Sequence, residues 1–402
     1  MNYTKKSILV FMANPNGWRS INTLGGGEII SLKVLLSIKE FDWYIITTNQ
    51  LINKMNLDSE LTHFLKMKNV KFLPIPLIFS KTNVIGDIFQ GLYYFIQSLK
   101  LSFKLRSRIN LTYASTNNFL DVFPAKITSF ITSSKLIIKY HISMYSGGNI
   151  FILFKNYLRE KNGILDSFIR SILASITLII FRSSDKIISV SIHLFNQLKN
   201  CGVGEDKLIV NYNGVDINYL KKFVAINKKI YDICYIGRIE KNKGIQDIVR
   251  LIDYLSKNYK SKINTIIIGD GSYFNEVSQL IKQKKLQDNI KLTGYMGEDR
   301  YNLLQQSKLF LSPSYALEGF GLSILESLYL KVPVIAYTNE VFKEIFGKDR
   351  NIKLIEPDLQ TLIHYVKHTL SKKNAFFPDK LVFNYSLKKC IFREKTILLS
   401  ML

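Results

Sequence analysis

Asp232-Ile-Cys-Tyr-Ile-Gly-Arg-Ile-Glu-Lys-Asn-Lys-Gly244 opens with a short β-rich run, breaks at a glycine, and continues as a loop rich in basic side chains. A run with no polar alternation is a strand buried on both faces, which is how strands of parallel sheets read. The same unit recurs downstream, with strands predicted at Asn264–Ile268, Ile290–Thr293, Leu309–Leu311, Val332–Ala336 and Lys353–Ile355. Upstream, Ser7–Met12, Trp43–Thr47, Val70–Leu73, Leu111–Tyr113, Leu136–Tyr140 and Lys186–Val190 read the same way. Segments such as Ile85–Arg106 are long enough to be crossover helices between parallel strands.

The fold class is therefore α/β, with two doubly wound, Rossmann-like domains in series. At 402 residues the chain suits two cores of ordinary size, and 47% hydrophobic residues supply them. The turn Asn213-Gly-Val-Asp216 and the lysine-rich stretch to Lys229 mark the boundary. The expected domains are residues 1–217, with a helix over 385–402 returning to them, and residues 218–384. Open parallel sheets bind ligands beyond the carboxyl ends of their strands, so two facing sheets would share a cleft.

The strongest local signal is Glu318-Gly-Phe-Gly-Leu-Ser-Ile-Leu-Glu326, a glycine-flanked turn after a strand, with a helix expected from about Gly321. Free N–H groups and a positive dipole end make such a turn a seat for phosphate. Two carboxylates beside that seat make sense for a sugar ligand, because carboxylates accept hydrogen bonds from paired hydroxyls. A capping carboxylate and a surface glutamate are the bland alternative. In the Gly237–Gly244 loop, Arg238 offers a fork of donors and Lys243 a point charge, together suited to one diphosphate. Gly25-Gly26-Gly27-Glu28 lies between a strand and a helix from about Ile29, and permits close backbone approach to a ligand. Gly269-Asp270-Gly271 is a similar turn of little specificity. His141 directly follows a strand, where a structural histidine is the commoner outcome.

Together these residues resemble the glycosyltransferase group 1 family, the retaining GT-B class. The likeness covers most of the chain and is strongest from Asn213 to Pro333. It rests on the Glu318–Glu326 motif with its GFG, the basic pair Arg238 and Lys243, the glycine loop Gly25–Gly27 and the NGVD segment. His141 matches the family's histidine in the first domain. The resemblance implies a metal-independent hexosyltransferase that uses a nucleotide-sugar donor of UDP-glucose or GDP-mannose type and retains anomeric configuration. The acceptor it implies is a glycan or lipid-linked glycan. Glu318 would hold a donor-sugar hydroxyl and Glu326 the ribose, while Arg238 and Lys243 stabilise the leaving diphosphate. Gly319, Phe320, Gly321, Leu322 and Ser323 would present amides to sugar and phosphate, and the base would sit near Thr293–Tyr295. Gly26 and Gly27 would face the phosphate, with His141 near the sugar or acceptor. Ser-Leu-Tyr-Leu-Lys331 departs from the family's usual small-residue run before Val-Pro.

No Asp-x-Asp occurs, so no carboxylate pair of that kind awaits a metal–diphosphate, and no cofactor or metal is expected. GGGE is not the GxGxxG of nucleotide-cofactor oxidoreductases. The net charge of +24 leaves a second reading, a non-enzymatic basic protein that binds anionic membrane or nucleic acid. Such a protein would not need two glutamates around a glycine turn, so a nucleic-acid partner is not expected. Three scattered cysteines without a CxxC suit a reducing compartment. The start of the chain reads as a buried strand, not a signal peptide. Ile164–Phe181 is broken by Asp166 and Arg170, leaving about 11 uncharged residues, against about 20 needed to span a bilayer. The expected place is the cytoplasm, peripheral to an anionic membrane face.

Overall fold

The computed structural model describes residues 5–13, 26–58, 60–79, 84–142, 153–155, 164–224, 228–258, 262–316, 318–371 and 381–402. Gly25 and Leu317 lie outside them. The chain divides into two compact units, Met1–Tyr212 with Cys390–Leu402, and Asn213–Lys389.

The first unit holds a parallel sheet of seven strands: β1 (Lys6–Met12), β2 (Phe41–Thr48), β3 (Val70–Ile75), β4 (Leu111–Ala114), β5 (Lys135–Tyr140), β6 (Lys186–Ser189) and β7 (Leu208–Val210). Their order is β3-β2-β1-β4-β5-β6-β7. The short run Leu208–Val210 escapes a sequence reading because only three residues pair with β6. Ile8 through Met12 are fully buried, as expected of a strand covered on both faces.

The second unit carries β8 (Tyr231–Ile236), β9 (Thr265–Ile268), β10 (Ile290–Leu292), β11 (Ser307–Ser312), β12 (Val334–Tyr337) and β13 (Ile352–Ile355). They pair in the order β10-β9-β8-β11-β12-β13, all parallel. β12 starts two residues later than the sequence suggests. Lys331 turns the chain with φ of 58°, and Val332 N–H still bonds back to the preceding helix at Ser327 O.

Both sheets reverse direction of growth once, between β1 and β4 and between β8 and β11. Such switch points open a crevice at the carboxyl ends of the two central strands. This is the two-sheet GT-B type of α/β fold.

The C-terminal helix runs from Leu387 to Met401. Its Ile397 and Leu398 join the core of the first unit, and Glu394 is fully buried there. Glu394 pairs with Lys139 of β5 at 2.5 Å, takes a 2.6 Å hydrogen bond from Asn211, and accepts from the Tyr113 hydroxyl. The segments 213–217 and 385–389 belong with the second unit rather than the first. Val215 N–H bonds to Tyr385 O at 3.0 Å and Leu387 N–H to Val215 O at 2.8 Å, so the outgoing and returning chains are stitched to each other there. A Cβ on Gly214 would stand 2.5 Å from the Ser386 carbonyl carbon, which explains a glycine in the NGVD turn.

Candidate active site

In the second unit two loops flank the switch point, Gly237–Gly244 after β8 and Pro313–Gly321 after β11. They are joined by backbone. Tyr315 and Ala316 N–H both donate to Asn242 O, at 2.9 and 3.2 Å. Gly244 turns with φ of +70°, and a Cβ there would lie 1.8 Å from the Pro313 carbonyl oxygen. Only glycine lets the basic loop approach the glutamate loop this closely.

That approach sets the charges. Lys243 Nζ sits 2.5 Å from Glu318 Oε1, with the side chains 14% and 23% exposed. Burial alone would raise the Glu318 carboxyl. The charge and hydrogen bond of Lys243, a hydrogen bond from Ser314 and the nearby Arg238 charge outweigh it and hold the group below its ordinary value. Glu318 is thus an ionised acceptor at neutral pH. Arg238, in contrast, takes no side-chain hydrogen bond or ion pair among the described residues, although its charge reaches Glu318. Its backbone is fixed, since Tyr235 donates its hydroxyl to Arg238 O at 3.0 Å. Arg238, Lys241 and Lys243 against Glu240 and Glu318 leave the two loops with a surplus positive charge.

The glutamate loop ends in Gly321 (φ 92°, ψ 48°), which caps the helix Leu322–Tyr329 without a side-chain hydrogen bond. Ile324 N–H returns to Gly321 O, while no side chain among the described residues claims the amides of Leu322 and Ser323. These donors, with the helix dipole, make an anion seat beside Arg238's loop. A side chain at Gly321 would strike Phe342 and Phe346, at 2.9 and 3.0 Å. Phe320 turns inward, 3% exposed and edge-on to Tyr385, so Gly319 and Phe320 can serve a ligand by backbone only.

Glu326 lies one turn into that helix and accepts from the Tyr301 hydroxyl at 2.9 Å. Tyr301 is itself buried, receives Arg300 Nη2 at 2.6 Å, and is packed by Phe223 and Tyr219. No motif reading pointed to Tyr301, because the pairing joins residues 25 apart on different helices. Asp247 was missed for the same reason: almost fully buried, it accepts from Tyr315 at 2.5 Å and Tyr337 at 3.0 Å and so anchors the glutamate loop from below.

Gly269–Gly271 has a different part from the one its glycines suggest. Gly269 N–H pairs with Gly294 O at 2.9 Å, and Ile239 N–H with Asp270 O at 2.9 Å. A Cβ on Gly269 would fall 1.8 Å from Gly237 O, so this turn buttresses the basic loop. Tyr295, 39% exposed, follows Gly294 at the carboxyl end of the edge strand β10.

In the first unit Gly26 and Gly27 begin the helix Gly26–Leu36. Gly27 and His141 are neighbours: a Cβ at Gly27 would lie 3.2 Å from His141 Cγ. His141 is 4% exposed, its N–H donates to Asn117 Oδ1 at 3.0 Å, and its Nε2 lies 2.9 Å from Ser31 Oγ and 3.2 Å from Ser115 O. Ser31 already donates to Ser115 O at 3.0 Å, so this network assigns the ring proton to Nε2. Nδ1 then carries a buried lone pair without a partner among the described residues. Burial, helped by the charge of Lys139, pushes the ring down to about 3. His141 is therefore neutral at pH 7, able to accept a hydrogen bond from a hydroxyl and not to supply a cation. Across the same switch point Asp121, fully buried, accepts from Ala13 N–H and Thr116 Oγ1, each at 2.6 Å.

Residues 216–375 match the family model described as glycosyl transferases group 1. Over that segment the chain is similar to the family. The group 1 match contains both loops just described and both glutamates. At 32% identity over 185 residues the chain is similar to the O-antigen biosynthesis glycosyltransferase WclY of Escherichia coli, covering 42% of this chain and 50% of that protein. It is 26% identical over 169 residues to the N-acetylgalactosamine-N,N'-diacetylbacillosaminyl-diphospho-undecaprenol 4-alpha-N-acetylgalactosaminyltransferase of Campylobacter jejuni, over 41% of this chain and 45% of that one. The chain spans about half the length of the first curated relatives it matches. Among solved structures, HepE of Anabaena in complex with UDP and glucose shares the fold, with a TM-score of 0.72, 16% identity, and 98% and 100% of the two chains covered.

Proposed function

We propose that the protein is a retaining, metal-independent glycosyltransferase that moves a hexose from a nucleotide-sugar donor to a glycan or lipid-linked glycan. The observation that carries this is Arg238, without a side-chain partner among the described residues, beside the Lys243–Glu318 pair and set against the open end of the Leu322–Tyr329 helix. Departure of a nucleoside diphosphate builds negative charge, and fixed cations and amide dipoles stabilise that charge more than they stabilise the bound donor. Glu318, kept ionised, accepts from a sugar hydroxyl, and Glu326, aligned by Tyr301, from the ribose. His141 Nδ1 is the matching acceptor in the first unit. The acceptor hydroxyl attacks on the face the diphosphate leaves, which retains configuration. The bond from the anomeric carbon to the phosphate oxygen breaks, the bond to the acceptor oxygen forms, and the hydroxyl proton passes to a departing phosphate oxygen. UDP-hexoses are the first donors to test, since HepE was crystallised with UDP and glucose; GDP-mannose is the second. A lipid-linked acceptor draws support from the undecaprenol-linked substrate in the name of the Campylobacter relative.

The test is donor hydrolysis and transfer across UDP-, GDP- and ADP-hexoses with chelator present. Saturable turnover of one donor, lowered by about 10²–10³ in Arg238→Ala, is the expected result. Turnover that needs added divalent metal, or an Arg238→Ala enzyme with wild-type kinetics, would overturn the corresponding part of the proposal.

A further inference from the structure

The helix Val84–Leu105 is built inside out. Gln90, Tyr94, Ser98 and Ser102 recur at every fourth residue and are fully buried. Two residues away, which is the opposite side of a helix, Ile88, Leu92 and Ile96 are 53%, 53% and 43% exposed. A water-facing helix normally shows the reverse arrangement. Three of these polar groups are used: Gln90 Oε1 accepts from Ile78 and Phe79 N–H at 2.8 and 3.1 Å, Tyr94 donates to Ile46 O at 3.3 Å, and Ser102 Oγ accepts from Thr128 Oγ1 at 2.8 Å, while Ser98 Oγ has no partner among the described residues. This helix packs on Phe119–Ile131, which packs on Ile164–Arg182, in one layer over the sheet. The two neighbours repeat the pattern, with Thr128, Ser167 and Ser171 buried and Phe130 and Phe168 exposed. Helices that bury a row of small hydroxyl residues and turn large apolar ones outward match an apolar surrounding, not water.

Charge indicates what the surrounding is. The same outward stripe continues from Ile96 into Lys100 and Lys104, which are exposed. Arg106 stacks over the Phe103 ring at 4.0 Å and Lys126 over the Phe130 ring at 4.7 Å. Apolar side chains bordered by cations fit an anionic lipid surface, where the rings enter the acyl boundary and the cations meet phosphate. A second copy of this chain fits poorly, because it would bring like charges together in a protein of net charge +24. No helix among the described residues is long and apolar enough to cross a membrane. We infer that the face formed by the helices 84–105, 119–131 and 164–182 is a seat for an anionic lipid bilayer. Crossover helices run back from the carboxyl ends of the strands, so Ile88, Phe89 and Phe168 lie toward the end of the sheet that carries His141. A lipid-borne acceptor would meet the unit from that end; this last point alone rests on the proposed function.

The experiment is sedimentation of the full chain with phosphatidylcholine vesicles, pure or with about a third phosphatidylglycerol. The wild type binds the anionic vesicles and not the neutral ones. The exposed triple change Phe89→Ser, Leu92→Ser and Ile96→Ser lowers binding at least about tenfold, and Lys100→Glu with Lys104→Glu does so at low salt. Leu92→Trp, which keeps a bulky side chain, shows a blue shift in emission on anionic vesicles. Circular dichroism checks that each variant is folded, and hydrolysis of a soluble donor is unchanged, so membrane binding and activity are read separately. Equal vesicle binding by wild type and triple variant overturns the inference. So does a concentration-dependent oligomer of the wild type that the triple variant disperses, which would assign the face to a second copy.

Discussion

Replacing Asp121 by asparagine should make the first unit more stable at alkaline pH and leave it nearly unchanged in acid. Asp121 is fully buried, and that burial raises its carboxyl from the ordinary 3.8 to about 7. Hydrogen bonds from Thr116, Ala13 N–H and Ser115 pull the other way, and the charge of Glu28 adds to the rise. The folded state thus holds a proton that the unfolded chain releases near its ordinary value. Stability from this group is whole below about pH 4, falls as pH climbs to about 7, and is flat above. A rise of about 3 units at about 1.4 kcal/mol each makes the loss about 4 kcal/mol. Asparagine keeps an oxygen for Ala13 N–H and cannot ionise. The variant should therefore match the wild type near pH 4 and exceed it by about 4 kcal/mol at pH 8. Urea unfolding followed by tryptophan emission is the assay, because both tryptophans, Trp18 and Trp43, belong to the first unit and Trp43 is fully buried. Parallel pH profiles for the two proteins would refute the reasoning.

Further outcomes follow from the same contacts. Tyr301→Phe removes the donor to Glu326 and should raise the donor KM about tenfold with little change in kcat, whereas Glu326→Ala should raise it more; steady-state kinetics in which kcat falls instead would place Tyr301 elsewhere. Gly244→Ala forces a Cβ onto Pro313 O and an unfavourable φ, so thermal melting should report a loss of about 2–4 kcal/mol together with reduced turnover. Glu394→Ala strands the buried Lys139 and should cost about 3–5 kcal/mol, and Lys139→Met in the same chain should restore much of it; a double variant no better than the single would argue against the ion pair as the source.

Much of this protein was legible in one dimension. Parallel strands buried on both faces leave continuous apolar runs, so the positions of β1, β8 and their neighbours could be read directly. The glycine turn Glu318–Glu326 and the loop Gly237–Gly244 announced themselves because a backbone that must bend sharply or expose its amides needs glycine. Boundaries were weaker. Asn213–Ile217 reads as an appendix of the first unit and packs with the second, since its partner, Tyr385–Leu387, lies some 170 residues away along the chain.

Only the tertiary structure decided how the site is charged. Arg238 and Lys243 read as one basic pair in the sequence, yet the approach of Gly244 to Pro313 pairs Lys243 with Glu318 and leaves Arg238 without a partner among the described residues. His141 is an ordinary histidine until Ser31, Ser115 and Asn117 surround it and burial makes it a neutral acceptor. The inverted helix 84–105 has an unremarkable composition; which of its two stripes faces water is set by the sheet and the neighbouring helices. Local propensity and turn chemistry act within a few residues and can be read from the sequence. Charge pairing, burial and the choice of exposed face arise between residues far apart in the chain, and they exist only once it has folded.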